Sequence, residues 1–228
     1  MASPALVFDM DGVLVEVSES YRETVVRTVE RLTGQRIARE RIQEYKNQGG
    51  WNNDWALSQK IARDLGVEVP YEEVVTEFNK IFLGTNGDGL ILREVWIPNF
   101  GLLERLGRNY RLAIFTGRTR YEVDITLQRF ARELQFDPIV CAGDLVNDKP
   151  APDGLWRIAE LTPGSDLVYV GDTVDDARSA TAAGVPFVGI VAPSASYRDE
   201  LIALMRTERA IAILDDINQL EAALSAVK

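Results

Sequence analysis

The segment LVFDMDGV, residues 6–13, constrains this chain more than any other, because an apolar strand in it ends in two aspartates two residues apart. Side chains alternate between the faces of a strand, so Asp9 and Asp11 share a face if the strand continues. Open α/β sheets hold their ligands at the carboxyl edge. There, one carboxylate could attack a substrate while the other moves a proton. The plainer alternative is that both aspartates only cap turns.

The composition restricts the available chemistry. The 228 residues include no histidine and one cysteine, which excludes imidazole proton shuttles, thiolate clusters, His-ligated zinc and intrachain disulfides. Cys141 follows a predicted strand and is interpreted as a small core residue. A net charge of -10 argues against a nucleic-acid partner. Catalysis would therefore use carboxylates, lysine, hydroxyl groups and a hard cation.

The same sequence gives no sign of a membrane span or a secretion signal. Its longest apolar runs have the length of strands, which is too short to cross a bilayer. The first residues lack the charged and apolar regions of a signal peptide. We therefore expect a cytoplasmic protein with no membrane partner.

Apolar runs and helical patterns alternate over most of the chain. The predicted strands cover residues 5–9, 111–116, 138–141, 167–171, 186–191 and 211–214. This alternation predicts an α/β fold, a Rossmann-like doubly wound parallel sheet covered by helices on both faces. Residues 15–93 read as helices only and predict an all-helical cap domain inserted into the core, which comprises residues 1–14 and 94–228. Ser20 and Glu23 have the spacing of a capping box at the start of the first cap helix.

Three more polar segments follow strands or lie in loops. They are Thr116-Gly117-Arg118, Lys149-Pro150 and Gly171-Asp172-Thr173-Val174-Asp175-Asp176. Each has an ordinary explanation by itself, as a turn, a solvated loop lysine or a helix N-terminal charge. In this order, and together with the paired aspartates, they resemble the haloacid dehalogenase superfamily of phosphoryl-transfer hydrolases. The resemblance covers nearly the whole chain and is to the branch with a helical cap after the first motif, as in phosphoglycolate phosphatases and β-phosphoglucomutases.

The resemblance implies a role for each catalytic residue. Asp9 would attack phosphorus and form an aspartyl-phosphate, and Asp11 would protonate the leaving group and later deprotonate water. Thr116 would hold a phosphoryl oxygen, and Lys149 would balance the charge of the phosphoryl group and the nucleophile.

Convergent aspartates at one sheet edge predict a divalent cation, since uncompensated carboxylates repel. Oxygen ligands and a phosphoryl substrate favour Mg²⁺. By resemblance its ligands are Asp9, the Asp11 carbonyl and Asp172. Asp176 matches the later acidic position of the family, while the role of its neighbour Asp175 stays open.

Substrate contacts are expected from two places. Gly117 and Arg118 follow the second strand, where Arg118 is placed to reach a substrate anion or, equally, to form a surface salt bridge. The cap loop at Gly50, Trp51 and Asn52 would close over the site. Trp51 could equally fill the core of the cap.

These features predict a Mg²⁺-dependent phosphatase that hydrolyses a small phosphomonoester through an aspartyl-phosphate intermediate. Its partner would be a small phosphorylated metabolite, and the chain would be a monomer or a homodimer. The alternative is a phosphomutase that returns the phosphoryl group to a sugar. From another class, an aspartate-phosphorylated signalling protein or a non-catalytic binding protein would use similar residues.

Overall fold

The computed structural model describes residues 3–226 of the chain, in which strands and helices alternate. In chain order the strands are β1 (Ala5–Phe8), β2 (Val15–Glu16), β3 (Val95–Trp96), β4 (Arg111–Phe115), β5 (Ile139–Val140), β6 (Leu167–Gly171), β7 (Phe187–Ile190) and β8 (Ala212–Leu214). The helices are α1 (Glu23–Thr33), α2 (Arg39–Gln48), α3 (Asp54–Asp64), α4 (Tyr71–Phe82), α5 (Leu102–Leu106), α6 (Arg120–Phe130), α7 (Asp153–Leu161), α8 (Val174–Ala183), α9 (Arg198–Thr207) and α10 (Leu220–Ala226).

The chain forms two compact units. One spans Glu16–Val95 and contains helices α1 to α4, and it is called the helical unit below. The other combines the chain up to Val15 with the chain from Trp96 onward and is called the core unit.

A six-stranded sheet in the order β5-β4-β1-β6-β7-β8 organises the core unit, and its paired strands are parallel. The predicted α/β fold with a parallel sheet is confirmed. β1 lies between β4 and β6, with Phe8 paired to Ile114 and Val170. Because these strands run the same way, the polar segments that follow them emerge at the same edge of the sheet.

The sheet is buried because helices cover it, so its strands are apolar on both faces. Leu6, Val7 and Phe8 of β1 have no exposed surface. Each such side chain contributes about 1.5–3 kcal/mol relative to an exposed one. β1 is therefore a rigid base for the carboxylates that follow it.

The helical unit contains four helices, α1 to α4, and the first of them begins differently from the prediction. A five-residue π-helical turn, Ser18–Arg22, precedes α1. The predicted capping box is wrong, because the Ser20 hydroxyl contacts the Val17 carbonyl at 3.4 Å and Glu23 accepts a hydrogen bond from Arg27 at 2.8 Å. A charged partner binds the glutamate more strongly than a backbone N–H would.

Aromatic side chains form the centre of the helical unit. The ring centroids of Tyr21 and Phe82 lie 4.0 Å apart, and those of Trp55 and Phe78, whose rings are nearly perpendicular, lie 6.3 Å apart. Such tilted pairs add about 0.5–1.5 kcal/mol to the burial of the rings. Among the described residues, no helix combines the length and apolarity that a membrane span requires.

Candidate active site

The turn after β1 brings the first aspartate motif against the last one. The Asp9 N–H donates to the Val170 carbonyl at 2.8 Å, which carries the strand pairing one residue past β1. Gly12 has a φ of +72°, and a Cβ atom there would lie 2.0 Å from Asp172 Oδ2. Position 12 therefore requires glycine for two reasons: a side chain would strain the backbone at this φ, and it would displace the carboxylate of Asp172.

Lys149 lies between two carboxylates in the interior of the core unit. Its Nζ is 2.9 Å from Asp9 Oδ1 and 2.8 Å from Asp176 Oδ1. The lysine is 5% exposed, and its ammonium lies 4.8 Å from the centroid of the Phe115 ring. Burial by itself would lower the pKa of Lys149, but the charges of the two aspartates outweigh burial and raise it. The lysine is thus held as a cation beside Asp9.

Asp176 is held by the start of α8 and by a tyrosine of β6. Its Oδ2 accepts hydrogen bonds from the Thr173 N–H at 3.0 Å and the Thr173 hydroxyl at 2.6 Å, and the Asp176 N–H donates to Thr173 Oγ1 at 3.2 Å, which completes a capping box. Its Oδ1 accepts one from the Tyr169 hydroxyl at 2.6 Å. Burial would raise the pKa of Asp176, but Lys149 and these hydrogen bonds lower it. Asp176 is therefore a fixed anion whose two oxygens already have partners.

Three carboxylates come together at this edge. Each of Asp9, Asp172 and Asp176 offers an oxygen within 4.8 Å of the others. Burial raises the pKa of Asp9 to about 7, even though Lys149 opposes the increase. Lys149 brings one positive charge to three carboxylates, so an added cation would be favourable. Oxygen donors of this kind fit a hard divalent cation such as Mg²⁺.

The structure also separates the two neighbouring acids of the last motif. Asp176 belongs to the carboxylate group, whereas an oxygen of Asp175 lies 3.9 Å from Arg178 Nη1. Because both oxygens of Asp176 already have partners, its contribution to a cation site would be less direct than that of Asp9, which binds Lys149 through Oδ1.

Asp11 contacts an arginine that is buried. Arg118 Nε and Nη2 donate to Asp11 Oδ1 at 2.8 and 2.5 Å, and Arg118 Nη1 donates to Thr126 Oγ1 at 2.8 Å. Arg118 is 1% exposed, so the alternative of a salt bridge at the surface is wrong. Its guanidinium is turned to Asp11 and Thr126.

The segment after β4 supplies a hydroxyl near these groups. Thr116 is buried, and its Oγ1 accepts a hydrogen bond from the Arg118 N–H at 3.3 Å. The hydroxyl proton therefore remains available for donation. Gly117, between these two residues, is exposed.

The other predicted substrate residues belong to the helical unit. Gly50, Trp51 and Asn52 lie in the loop between α2 and α3. The rings of Trp51 and Tyr45 are nearly perpendicular, with their centroids 6.0 Å apart. This contact fits a packing role for Trp51 within the helical unit.

Sequence reasoning missed Tyr169, Thr173 and Thr126. A tyrosine in an otherwise apolar buried strand requires a hydrogen-bond partner for its hydroxyl, and that signal could have linked Tyr169 to a nearby acid. Thr173 precedes Asp176 by the three residues of a capping box. Thr126 carries no comparable signal, because a threonine inside a helix usually bonds its own backbone.

Comparisons with known proteins show which family this chain is similar to. The family model for haloacid dehalogenase-like hydrolases matches residues 6–190. A protein of Phytophthora nicotianae named imidazoleglycerol-phosphate dehydratase is 33% identical over 204 residues, which is 85% of this chain and 45% of that protein. The chain thus spans less than half the length of this relative.

Two further relatives extend over most of their own length. Phosphoglycolate phosphatase of Escherichia coli O157:H7 is 26% identical over 204 residues, covering 81% of this chain and 80% of the enzyme. The crystal structure of a hydrolase from Pseudomonas syringae superposes with a TM-score of 0.75 at 20% identity, over 98% of this chain and 99% of that one. The structural likeness establishes the fold.

Proposed function

Since the chain belongs to the haloacid dehalogenase-like hydrolase family, we propose that it is a Mg²⁺-dependent phosphatase that hydrolyses a small phosphomonoester through an aspartyl-phosphate on Asp9. The contact that carries this proposal is the buried one between Lys149 Nζ and Asp9 Oδ1, at 2.9 Å. The fixed cation orients the buried carboxylate and opposes the increase in its pKa, and both effects favour Asp9 as a nucleophile.

The first chemical step uses both aspartates of the first motif. An oxygen of Asp9 attacks phosphorus while the bond from phosphorus to the leaving oxygen breaks. Asp11 gives its proton to the leaving oxygen, so the product departs as an alcohol. In the second step Asp11 takes a proton from water, and the water oxygen attacks phosphorus. Inorganic phosphate leaves, and Asp9 is regenerated.

Thr116, Gly117 and Lys149 stabilise the phosphoryl group in this proposal. The Thr116 hydroxyl and the Gly117 N–H would donate to phosphoryl oxygens. Lys149 would compensate the negative charge of the Asp9 carboxylate before the attack and that of the phosphoryl group during the transfer. Asp176, with Thr173 and Tyr169 behind it, keeps the lysine in place.

The carboxylates of Asp9 and Asp172, with the carbonyl of Asp11, would hold the divalent ion, and Asp176 would stand beside it. When bound, the ion supplies positive charge that compensates these carboxylates and the substrate phosphate. The identity of the ion as Mg²⁺ follows from the oxygen donors and the phosphate substrate.

The helical unit is proposed to serve as the cap that selects the leaving group, with Gly50, Trp51 and Asn52 in its recognition loop. The substrate is a small phosphorylated metabolite. The named relatives suggest phosphoglycolate and imidazoleglycerol phosphate as compounds to test, together with a hexose 1-phosphate for the mutase alternative.

Phosphate release from this panel, with Mg²⁺ and with chelator, tests the proposal. We expect release that requires the metal and is concentrated on one or two compounds. Asp9→Asn should lower turnover by about 1000-fold or more, because it removes the nucleophile. Asp166→Asn, an exposed aspartate before β6, is the matched control and should leave turnover unchanged.

Two outcomes would contradict the phosphatase. Unchanged metal-dependent turnover in Asp9→Asn would exclude the Asp9 intermediate. A bisphosphate detected by phosphorus NMR with the hexose 1-phosphate, and no free phosphate, would favour the mutase.

A further inference from the structure

Arg118 is a buried cation that the proposed chemistry has not used. A buried arginine is rare unless its charge is compensated, because removal from water is costly. Here the compensation comes from Asp11, to which Nε and Nη2 donate at 2.8 and 2.5 Å. The fold therefore places a fully buried guanidinium on the residue that the proposal makes the general acid.

The two hydrogen bonds converge on one oxygen of that acid. Both reach Asp11 Oδ1, whereas the side chain of Asp11 as a whole stays 31% exposed. Fixing one oxygen of a carboxyl group fixes the orientation of the other. Oδ2 of Asp11 is thus the oxygen placed to carry and transfer the proton.

The arginine is itself held from both sides. Its Nη1 donates to Thr126 Oγ1 at 2.8 Å, inside α6. The next residue, Thr119, starts α6 with a capping box, in which its N–H donates to Glu122 Oε2 at 2.7 Å. The Arg118 N–H donates to Thr116 Oγ1 at 3.3 Å, so both the backbone and the guanidinium of Arg118 are held in place.

From this geometry we infer that Arg118 is a positioning residue, which holds the Asp11 carboxyl group so that Oδ2 meets the leaving oxygen. This role differs from the substrate contact expected from the sequence, because the donors of Arg118 are turned to Asp11 and Thr126. The inference rests on the proposed function, in which the proton passes from Asp11 to the leaving oxygen as the bond to phosphorus breaks.

The dependence on the leaving group tests this role. An alkyl phosphomonoester needs a proton on its departing oxygen, whereas nitrophenolate leaves without one. In the first turnover, Arg118→Ala should slow release of an alcohol from the best alkyl substrate about 100-fold, and release of nitrophenol from 4-nitrophenyl phosphate less than about 10-fold. Rapid-quench and stopped-flow measurements give the two rates.

A double-mutant cycle separates positioning from an independent role. If Arg118 acts through Asp11, adding Arg118→Ala to Asp11→Asn should slow the alkyl reaction no further than Asp11→Asn alone. Equal slowing of both leaving groups, unchanged rates, or additive effects in the cycle would overturn the inference. A wild-type protein that releases neither product would instead refute the proposed phosphatase.

Two more conservative variants keep the inference testable if Arg118→Ala misfolds, which circular dichroism would reveal. Arg118→Lys keeps the charge but loses the fixed donors, and Thr126→Val removes the anchor of Nη1. Both should slow the alkyl reaction selectively, by about 10-fold. Arg120→Ala, an exposed arginine two residues away, should leave both rates unchanged. If neither Arg118→Lys nor Thr126→Val slows the alkyl reaction more than the nitrophenyl reaction, the inference is also overturned.

Discussion

Two buried carboxylates in this protein have a similar number of partners but differ in the balance of charge around them. In the core unit, Asp176 is fully buried and is bound by Lys149, Thr173 and Tyr169. In the helical unit, Glu23 is 4% exposed and is bound by three arginines. They are Arg27 at 2.8 Å, Arg36 at 3.1 Å and Arg39 at 2.7 Å.

The balance of charge distinguishes the two groups. The arginines around Glu23 are partly exposed, so water shares their charge, and the three arginines are balanced by three glutamates, Glu23, Glu19 and Glu30. Around Asp176 the charge is not balanced in this way, because Asp9 and Asp172 add two more carboxylates beside one buried lysine. The cluster at Glu23, whose charges are compensated within the protein, stabilises the fold. The carboxylate group around Asp176 has more negative than positive charge, which favours the binding of a cation and, with it, a phosphate substrate.

The largest expected effect follows from removing the buried lysine. Lys149→Met should lower the free energy of unfolding by about 3–5 kcal/mol in the absence of divalent cations, because Asp9 and Asp176 lose their buried partner. Urea denaturation measures this loss. Lys60→Ala, at the more exposed pair with Asp64, is the control and should cost at most about 1 kcal/mol. Similar losses in both variants would remove the contrast between the two regions.

A smaller effect is expected at the tyrosine. Tyr169→Phe removes the hydrogen bond to Asp176 Oδ1 and should cost about 1–3 kcal/mol. Because Asp176 also holds Lys149, turnover should fall by about 10-fold. Tyr121→Phe, at an exposed tyrosine of α6, should change neither quantity. Full activity in Tyr169→Phe would mean that Asp176 holds the lysine without help from the tyrosine.

The smallest effect is expected in the helical unit, and it depends on pH. Burial opposes the ionisation of Glu23, but the hydrogen bonds from its arginines outweigh burial and lower its pKa from 4.5 to about 2. A carboxylate with a lowered pKa stabilises the folded state above pH 4.5 and loses that contribution as the pH falls towards 2. Glu23→Gln should therefore cost about 1–2 kcal/mol at neutral pH.

Urea denaturation of wild type and Glu23→Gln at several pH values measures how the contribution of Glu23 to the free energy of unfolding changes with pH. The difference between them should be constant near neutral pH and shrink below about pH 4.5. Glu68→Gln, at an exposed glutamate paired with Arg63, should cost less than about 0.5 kcal/mol. A difference that grows as the pH falls would contradict the lowered pKa of Glu23.

Much of the fold could be predicted because its signals are local. The apolar runs at residues 5–9 and 167–171 correspond to β1 and β6, and continuous burial of a parallel strand is readable from composition. The start of α1 could not be predicted in the same way. Ser20 and Glu23 have the spacing of a capping box, but arginines distant in sequence bind the glutamate instead.

Composition and local spacing were sufficient to predict the parallel sheet, the acids that follow its strands and the exclusion of histidine chemistry. Each of these depends on composition or on residues within a few positions of one another. The partners of the acids, in contrast, became known from the folded chain. Arg118 binds Asp11 across 107 positions, and Lys149 joins Asp9 to Asp176. Such pairings depend on which strands become neighbours, and local spacing carries no information about them.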